Sequence, residues 1–512
     1  MSYFIGLDIG TSAAKALLCD QVGRIVAIAQ QEYPLLTPRP MWSEQNPADW
    51  WQGSIKAIQQ LLGEAAVAPA QVGGIGLTGQ MHGSVFLDKD ERVIRPALLW
   101  NDQRTAHECE QITALVGYER LIEITGNPAL TGFQAPKILW LRNHEPENYE
   151  RLAKVLLPKD YIRLMMTGVS ATDCSDAAGT LLLDLQKRDW SDELLQLLGL
   201  PRDWFPTVYE GSHITGRLRP VVAKSLGLPA GIPVVAGGGD NAAAAVGTGI
   251  VRSGLVSSSI GTSGVVFAHS EDIRLDPKGR LHTFCHAVPG KNHLMAVTLS
   301  AGNSFRWIRD LFRTAGSNLS GCEEVAFGYE SMTAQAAQVS PGAEGLIFLP
   351  YLTGERTPHL DPFATGAFVG LTARHTAAHL VRAVMEGVTF SLRDGMEIMH
   401  AIQVPIDQVR AIGGGGKSPL WCQLQADIFG CEVVNLAVEE GPAYGAALLA
   451  MAADQDAEGV ICVSEACVKT TNTYHPQTAS QEKYNQLYAI YRELYPALRG
   501  SMHKLSQFAG GK

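Results

Sequence analysis

Ile9-Gly10-Thr11-Ser12 and Ile260-Gly261-Thr262-Ser263 are two copies of one tetrapeptide, placed in opposite halves of the chain. Each follows an apolar, strand-like run: Tyr3-Phe4-Ile5-Gly6-Leu7 before the first, Leu255-Val256-Ser257-Ser258-Ser259 before the second. Glycine permits a tight turn and close approach of a ligand to the backbone. Thr and Ser add hydroxyls beside exposed N–H groups, and a concave set of N–H dipoles attracts anions. The pair predicts two phosphate-holding turns on two related lobes, with a nucleotide between them. Chance recurrence of four common residues is the alternative the rest of the chain must answer.

The surroundings repeat too. Residues 3–8, 13–19 and 25–31 read as a β-meander rather than a βαβ opening, and 254–260 with 264–269 repeat it. Asn46-Pro47-Ala48-Asp49 reads as a helix start: Asn46 caps, Pro47 suits the first helical position and Asp49 favours the N-terminal dipole. Residues 72–78 read as a buried strand, with 85–88 and 93–100 continuing its sheet. The stretch 104–228 reads as mostly helical. A short strand over 233–236 runs into Gly237-Gly238-Gly239-Asp240-Asn241 and a small-residue helix over 242–247. Later come a helix over 377–401, a strand over 408–412, helices over 421–429 and 445–453, and a polar-faced helix with a loose end. The expected division is 1–247 for a first lobe, 248–470 for a second, and 471–512 for a C-terminal helix and tail.

A chain of 512 residues suggests two or more domains. The net charge of −10 argues against nucleic acid as a partner, although a local pocket on an acidic protein can still be positive. Nine dispersed cysteines without a Cys-x-x-Cys pair read as reduced thiols of a cytoplasmic protein, not a disulfide frame or zinc site. His282, His286, His293 and Cys285 fit no usual zinc spacing. No basic leader precedes the first apolar run, which Asp8 interrupts, so no signal peptide is expected. No uncharged apolar run of about 18 residues predicts a membrane span.

Several motifs carry chemistry. Asp8 stands beside the first phosphate turn, where a carboxylate repels an anion unless a cation mediates. Mg²⁺, which prefers carboxylate, phosphate and water oxygens, is the natural mediator. Lys15 offers compensating charge close by. The second turn has Ser259 and Val266 at the corresponding positions, as expected if only one lobe supplies the metal-side carboxylate. The glycines at 237–239 admit a substrate to the backbone, and Asp240 then projects at the lobe junction. There it can take a substrate hydroxyl's proton during phosphoryl transfer, or simply cap the helix that follows. Gly413-Gly414-Gly415-Gly416-Lys417-Ser418 is not a P-loop, because Ala411 stands where the first glycine is required. It reads as a backbone-lined loop on which a flat ring such as adenine can lie, with packing alone as the alternative. Gln80, Met81 and His82, with Trp100 and Asn101, offer donors, acceptors and an apolar cover for a polyol.

Together, Asp8-Ile-Gly-Thr-Ser12, Gly237-Gly-Gly-Asp240, Ile260-Gly-Thr-Ser263 and Gly413-Gly-Gly-Gly416 resemble the nucleotide and catalytic motifs of the FGGY carbohydrate kinases. Gly366-Ala-Phe-Val-Gly-Leu371, Leu349-Pro-Tyr-Leu-Thr-Gly-Glu-Arg356 and Phe133-Gln-Ala-Pro-Lys-Ile-Leu-Trp140 are similar to that family as well. Gln134 departs from its usual residue. The resemblance implies an α/β fold of two RNase H-like lobes, the actin/Hsp70/sugar-kinase ATPase fold, around a central ATP cleft. It assigns a sugar to the first lobe and the nucleotide to the second. Trp42-Ser-Glu-Gln45, Gly79-Gln-Met-His-Gly83, Leu157-Pro-Lys-Asp-Tyr161 and Ser175-Asp-Ala-Ala-Gly179 resemble the branch of the family that phosphorylates D-xylulose with ATP. By that resemblance Gln80, Met81, His82, Trp100, Asn101, Asp240 and Asn241 meet the sugar, and Asp240 is the general base. Asp8 is required near Mg-ATP and is the metal-side residue. Gly10, Thr11, Ser12, Lys15, Gly261, Thr262, Ser263, Gly414, Gly415 and Gly416 meet the nucleotide. Kinases of L-xylulose, ribulose or gluconate, and a switch ATPase of the actin or Hsp70 kind, remain alternatives. A homodimer is expected by analogy only.

Overall fold

The computed structural model describes residues 2–317 and 328–510. Two seven-stranded sheets carry the two lobes. In the first, Tyr3–Ile9 pairs antiparallel with Ala13–Asp20, which pairs antiparallel with Ile25–Glu32. On its other side Tyr3–Ile9 runs parallel to Val72–Gly79, and Pro233–Val235 follows in parallel. In the second, Gly254–Ile260 pairs antiparallel with Gly264–Ser270, which pairs antiparallel with Asn292–Thr298. On its other side it runs parallel to Ile406–Ile412 and then Glu432–Leu436. Strand order and sense therefore repeat, and both tetrapeptides sit at the turn that ends the central strand. The first central strand is covered on both faces: Ile5, Leu7 and Ile9 are fully buried on one, and Gly6, on the other, is buried against helix Gly441–Met451.

Helix Pro47–Glu64 begins as its sequence dictates. The Asn46 side chain accepts from the Ala48 N–H, Pro47 occupies the first turn, and Trp50, Ile58 and Leu61 are buried. Two later helices join the lobes. Asp240–Thr248 and Gly441–Met451 cross so closely that a Cβ on Gly445 would lie 1.7 Å from the Ala243 carbonyl oxygen, and one on Gly247 would lie 2.3 Å from that of Gly441. Gly441–Met451 also lies on the first sheet, where Cβ atoms on Gly6 and Gly76 would each stand 1.8 Å from a carbonyl oxygen of this helix. Backbone meets backbone there, so no side chain can be added without moving an element.

Three expectations need correction. Residues 85–88 and 93–100 do not continue the first sheet. Val85–Leu87 pairs instead with Lys154–Leu156, and Ala97–Leu98 with Glu44–Gln45. The turn at Glu91 (φ 59°) and Pro96 break the run. The helical region also contains short strands, such as Ala171–Asp173 paired parallel with Thr207–Tyr209. The segment after residue 470 is more than a polar-faced helix: Thr470–Tyr474 forms the edge of the second sheet, antiparallel to Glu432–Leu436, and the last two residues, on which the loose end falls, lie outside the described residues. The helix Thr478–Gly510 buries Tyr484, Tyr488, Tyr491 and Tyr495 in the second core.

Candidate active site

The sheet register brings two carboxylates together. Asp8, near the end of the first central strand, stands opposite Thr78 of the parallel neighbour. Gly238 pairs with that same Thr78 from the other side, and Asp240 follows two residues later. Gly237 makes this approach feasible: it has φ 75°, and a Cβ there would lie 1.8 Å from the Leu77 carbonyl oxygen.

Asp240 is the first residue of helix Asp240–Thr248, and Gly239 is the cap. The capping alternative thus does not hold for its side chain. Asp240 Oδ1 accepts from the Asn241 N–H at 2.7 Å and from Asn241 Nδ2 at 2.9 Å. Among the described residues Oδ2 accepts no hydrogen bond. Burial raises this carboxyl to about 6 against the opposing Asn241 bonds. Asp8 is raised to about 7, first by burial and then by the charge of Asp240, while Lys15 opposes. Its Oδ1 is sealed from solvent and has no hydrogen-bond partner. An orphaned carboxylate oxygen beside a phosphate turn suits a hard, oxygen-seeking cation.

The first turn is braced from within its own lobe. Gly10 N–H donates to the Ala13 carbonyl at 3.1 Å. Thr11 Oγ1 accepts from Trp100 Nε1 at 2.9 Å and donates to Gln80 Oε1 at 3.3 Å. Gln45 Nε2 donates to the Thr11 carbonyl at 2.6 Å, and Gln80 Nε2 donates to Gln45 Oε1 at 3.0 Å. Trp100 and Gln80, expected on the sugar, thus spend hydrogen bonds on holding the phosphate turn. Ser12 is exposed. Lys15 pairs with Glu440 at 2.8 Å, which ties the first meander to the start of helix Gly441–Met451.

His82 has φ 67°, and its Nδ1 lies 2.6 Å from the Gly179 carbonyl. A carbonyl can only accept, so the proton sits on Nδ1 and Nε2 remains an acceptor. Burial pulls this imidazole down to about 3, which keeps it neutral. Met81 is buried beside it, and a Cβ on Gly239 would lie 2.9 Å from its Cγ. The Oδ1 of Asn101 is sealed without a partner. The sequence reading missed one wall of this region, which comes from the other lobe. The Phe133 ring stands 4.9 Å from His82 and 6.0 Å from His282, and Phe284 stands 6.2 Å from His82. Strand His282–Cys285 is anchored across the lobes by His282 Nδ1 to Asn127 Oδ1 at 2.7 Å and by Asn127 Nδ2 to the Thr283 carbonyl at 2.9 Å. The histidines considered for zinc are thus members of an aromatic cluster.

A cavity of about 800 Å³ opens between the second turn and the glycine run, lined by Gly261, Thr262, Asn303, Gly414, Gly415 and Trp421 among others. The second turn is built onto helix Gly302–Ser317, with Gly302 N–H donating to the Gly261 carbonyl at 2.7 Å. Ser263 is exposed at this turn. The glycine run is not a loop but one helical turn, Gly413–Gly416. It packs on Ile260, where a Cβ on Gly415 would lie 2.6 Å from that residue's Cβ. Gly416 lines a neighbouring cavity of about 310 Å³ with Asn435 and Tyr474.

A second missed feature lies beneath Asp240. Fully buried Lys159 holds Asp160 at 2.6 Å, Asp173 at 2.8 Å and Asp176 at 3.4 Å. Asp173 accepts from the Ser175 N–H at 2.7 Å and from its hydroxyl. Ser175 Oγ in turn accepts from the Gly239 N–H at 3.1 Å. A buried ionic cluster therefore ends on the backbone amide immediately before Asp240. Leu157-Pro-Lys-Asp-Tyr161 and Ser175-Asp-Ala-Ala-Gly179 were the signal for it, but residue types alone do not disclose the contact.

Fold and site together define a two-lobed kinase architecture, with one acidic pair at the junction and a nucleotide-sized cavity on the second lobe. The chain belongs to the FGGY family of carbohydrate kinases: the N-terminal domain model of that family matches residues 3–247, and the C-terminal domain model matches 256–453. Kinases of this family use ATP. The chain is 47% identical to the xylulose kinase of Escherichia coli (strain K12), covering 90% of this chain and 91% of that one. The crystal structure of xylulose kinase from Rhodospirillum rubrum matches with a TM-score of 0.89 and 31% identity, over 98% of this chain and 100% of the other. A gluconate kinase from Lactobacillus acidophilus matches with the same TM-score, 0.89, at 26% identity over 98% and 99% of the two chains. The shared backbone thus serves kinases named for different sugars.

Proposed function

We propose that this protein transfers the γ-phosphoryl group of ATP to the C5 hydroxyl of D-xylulose, giving D-xylulose 5-phosphate and ADP. The observation that carries the reading is Asp240: a raised, half-buried carboxylate with one oxygen tied to Asn241 and the other free, beside Asp8. The similarity to xylulose kinases over nearly the full chain favours D-xylulose over gluconate. The sugar lies against Met81 and His82, whose Nε2 accepts a hydrogen bond from a sugar hydroxyl. The phosphates lie between Gly10–Ser12 and Gly261–Ser263, and adenine lies in the cavity by Gly414 and Gly415. Asp240 accepts the proton of the attacking hydroxyl, a role that typically contributes about 10²–10⁴-fold. Asp8, with its unpartnered Oδ1 beside the first turn, would hold Mg²⁺, which would supply charge neutralisation at the phosphates. Lys15 balances Asp8 and keeps Glu440 in place. Lobe closure excludes the water that competes with the sugar as nucleophile.

Asp240→Asn tests the assignment. The side chain keeps its size, so D-xylulose binding measured by calorimetry is expected to stay within a few-fold, while turnover falls at least about 10²-fold. Near-normal turnover would remove Asp240 from the mechanism.

A further inference from the structure

The backbone of Gly10–Ser12 is satisfied unevenly. Each of its carbonyls has a partner. That of Gly10 accepts from the Tyr33 hydroxyl and from Gln80 Nε2 at 3.4 Å, that of Thr11 from Gln45 Nε2 at 2.6 Å, and that of Ser12 from the Tyr33 N–H at 3.2 Å. The Gly10 N–H donates to the Ala13 carbonyl. Among the described residues the Thr11 and Ser12 N–H groups have no acceptor. Backbone donors in folded proteins are paired with protein, water or ligand, so these two are open to an incoming acceptor. In a planar trans peptide the C=O of one residue and the N–H of the next point opposite ways. Drawing the Gly10 and Thr11 carbonyls towards buried Gln45 and Gln80 therefore turns the Thr11 and Ser12 amides away from the interior of the lobe, and Ser12 is exposed.

Gln45 is the fixed point of this arrangement. It sits on the two-residue strand Glu44–Gln45 and is 1% exposed. Trp50 Nε1, which can only donate, meets its side-chain oxygen at 3.0 Å. That contact settles which end of the amide is which. Oε1 accepts from Trp50 and from Gln80 Nε2, leaving Nε2 to face the carbonyls of Thr11 and, at 3.4 Å, Pro34. Both donors and both acceptor sites are used, so the side chain cannot turn without breaking bonds in a buried place. Tyr33 reaches the turn from just beyond strand Ile25–Glu32, whose pairing begins with Glu32 opposite Ala13.

We infer that Gln45 and Tyr33 are positioning residues of the nucleotide site: they hold the turn's carbonyls inward, so that the Thr11 and Ser12 N–H groups stand as a preformed pair of donors for a phosphate oxygen. Neither side chain touches the nucleotide. Donors fixed in advance need no reorganisation when the anion arrives. This inference deepens the reading of Gly10–Ser12 as a phosphate turn and rests on it.

The test compares wild type, Gln45→Met and Tyr33→Phe, which keep most of the side-chain volume. Dissociation constants are measured for a non-hydrolysable ATP analogue with Mg²⁺ and for adenosine, which lacks the phosphates. Loss of the hydrogen bonds predicts that the analogue binds about 10-fold more weakly to Gln45→Met and about 3-fold more weakly to Tyr33→Phe, with KM for Mg-ATP following. Adenosine affinity and KM for D-xylulose should stay unchanged, which shows that both lobes are folded. Unchanged affinity for the analogue in the two folded variants would overturn the inference. So would equal weakening of the analogue and adenosine, the mark of a general loosening of the protein. A raised D-xylulose KM with unchanged analogue affinity would also overturn it, by assigning the network to the sugar side through Gln80. Wild type that binds the analogue no better than adenosine would instead overturn the phosphate-turn reading on which the inference stands.

Discussion

At the residue scale, the site depends on carboxylates held away from their ordinary behaviour. Burial raises Asp240 to about 6. As a base it works ionised, and Asp8, raised to about 7, is also needed ionised, so kcat/KM for the sugar should rise with pH through about 6 to 7 and level off above that, since this parameter reports the free enzyme. Burial holds His82 near 3, so the imidazole adds no limb of its own above pH 5. A rate profile flat from pH 5 to 8 would contradict this, and a limb near 6 that persists in Asp240→Asn would assign it to another group. That Asp8 and both tetrapeptides stand where a strand turns, and that Asp240 follows a glycine run at the end of a strand, was legible because apolar runs ending in glycine are marked in the sequence. Ser175 was not: its role rests on an Oγ that meets Gly239 N–H across 64 positions, at 3.1 Å. Ser175→Ala should leave that amide unsatisfied and lower kcat more than it raises the sugar KM, with Ser175→Thr recovering part of the loss. Equal effects of Ala and Thr would deny the hydroxyl a positioning role.

At the element scale, the lobes meet through glycine and alanine. The crossing of Asp240–Thr248 with Gly441–Met451 leaves no space for a Cβ on Gly445. Gly445→Val should force the helices apart and cost about 1–3 kcal/mol as overpacking, lowering Tm. Because Asp240 begins one of these helices, turnover should fall as well, whereas Gly63→Ala, at a helix position with open space, should disturb neither. Equal behaviour of the two variants would mean that the crossing does not constrain the site. The meander strands and the helix at 377–401 were readable because they are long and regularly patterned, and the start of the helix at 47 because Asn46 and Pro47 are capping residues. Strands of two or three residues, such as Ala97–Leu98, are too short for alternation to show. The glycine run read as a loop because glycine is a poor helix former, but packing on Ile260 overrides that preference. The last helix read as polar-faced because tyrosine is half polar, and the burial of Tyr484 and Tyr488 depends on acceptors, Glu386 and Asp394, far along the chain.

At the scale of the whole molecule, the repeated sheet order explains why one tetrapeptide serves twice: each copy ends the central strand of a lobe. The proposed sugar contacts on one lobe and the proposed nucleotide cavity on the other call for closure before transfer. Slow ATP hydrolysis without sugar, and a smaller radius of gyration in solution scattering when a sugar and a non-hydrolysable ATP analogue are both present, are the expected signs. An unchanged radius with both bound would argue for a preformed cleft. What the sequence could not disclose is the wall contributed by His282 and Phe284, because it exists only once the lobes are assembled.

The central claim is tested most directly by a coupled ADP-release assay with Mg-ATP against D-xylulose, L-xylulose, D-ribulose, L-ribulose, glycerol and gluconate. The account predicts strong turnover on D-xylulose, well above every other sugar and above the sugar-free rate. Preferred turnover of another sugar would keep the kinase and refute the substrate, and no turnover above the sugar-free rate with any of them would contradict the account itself.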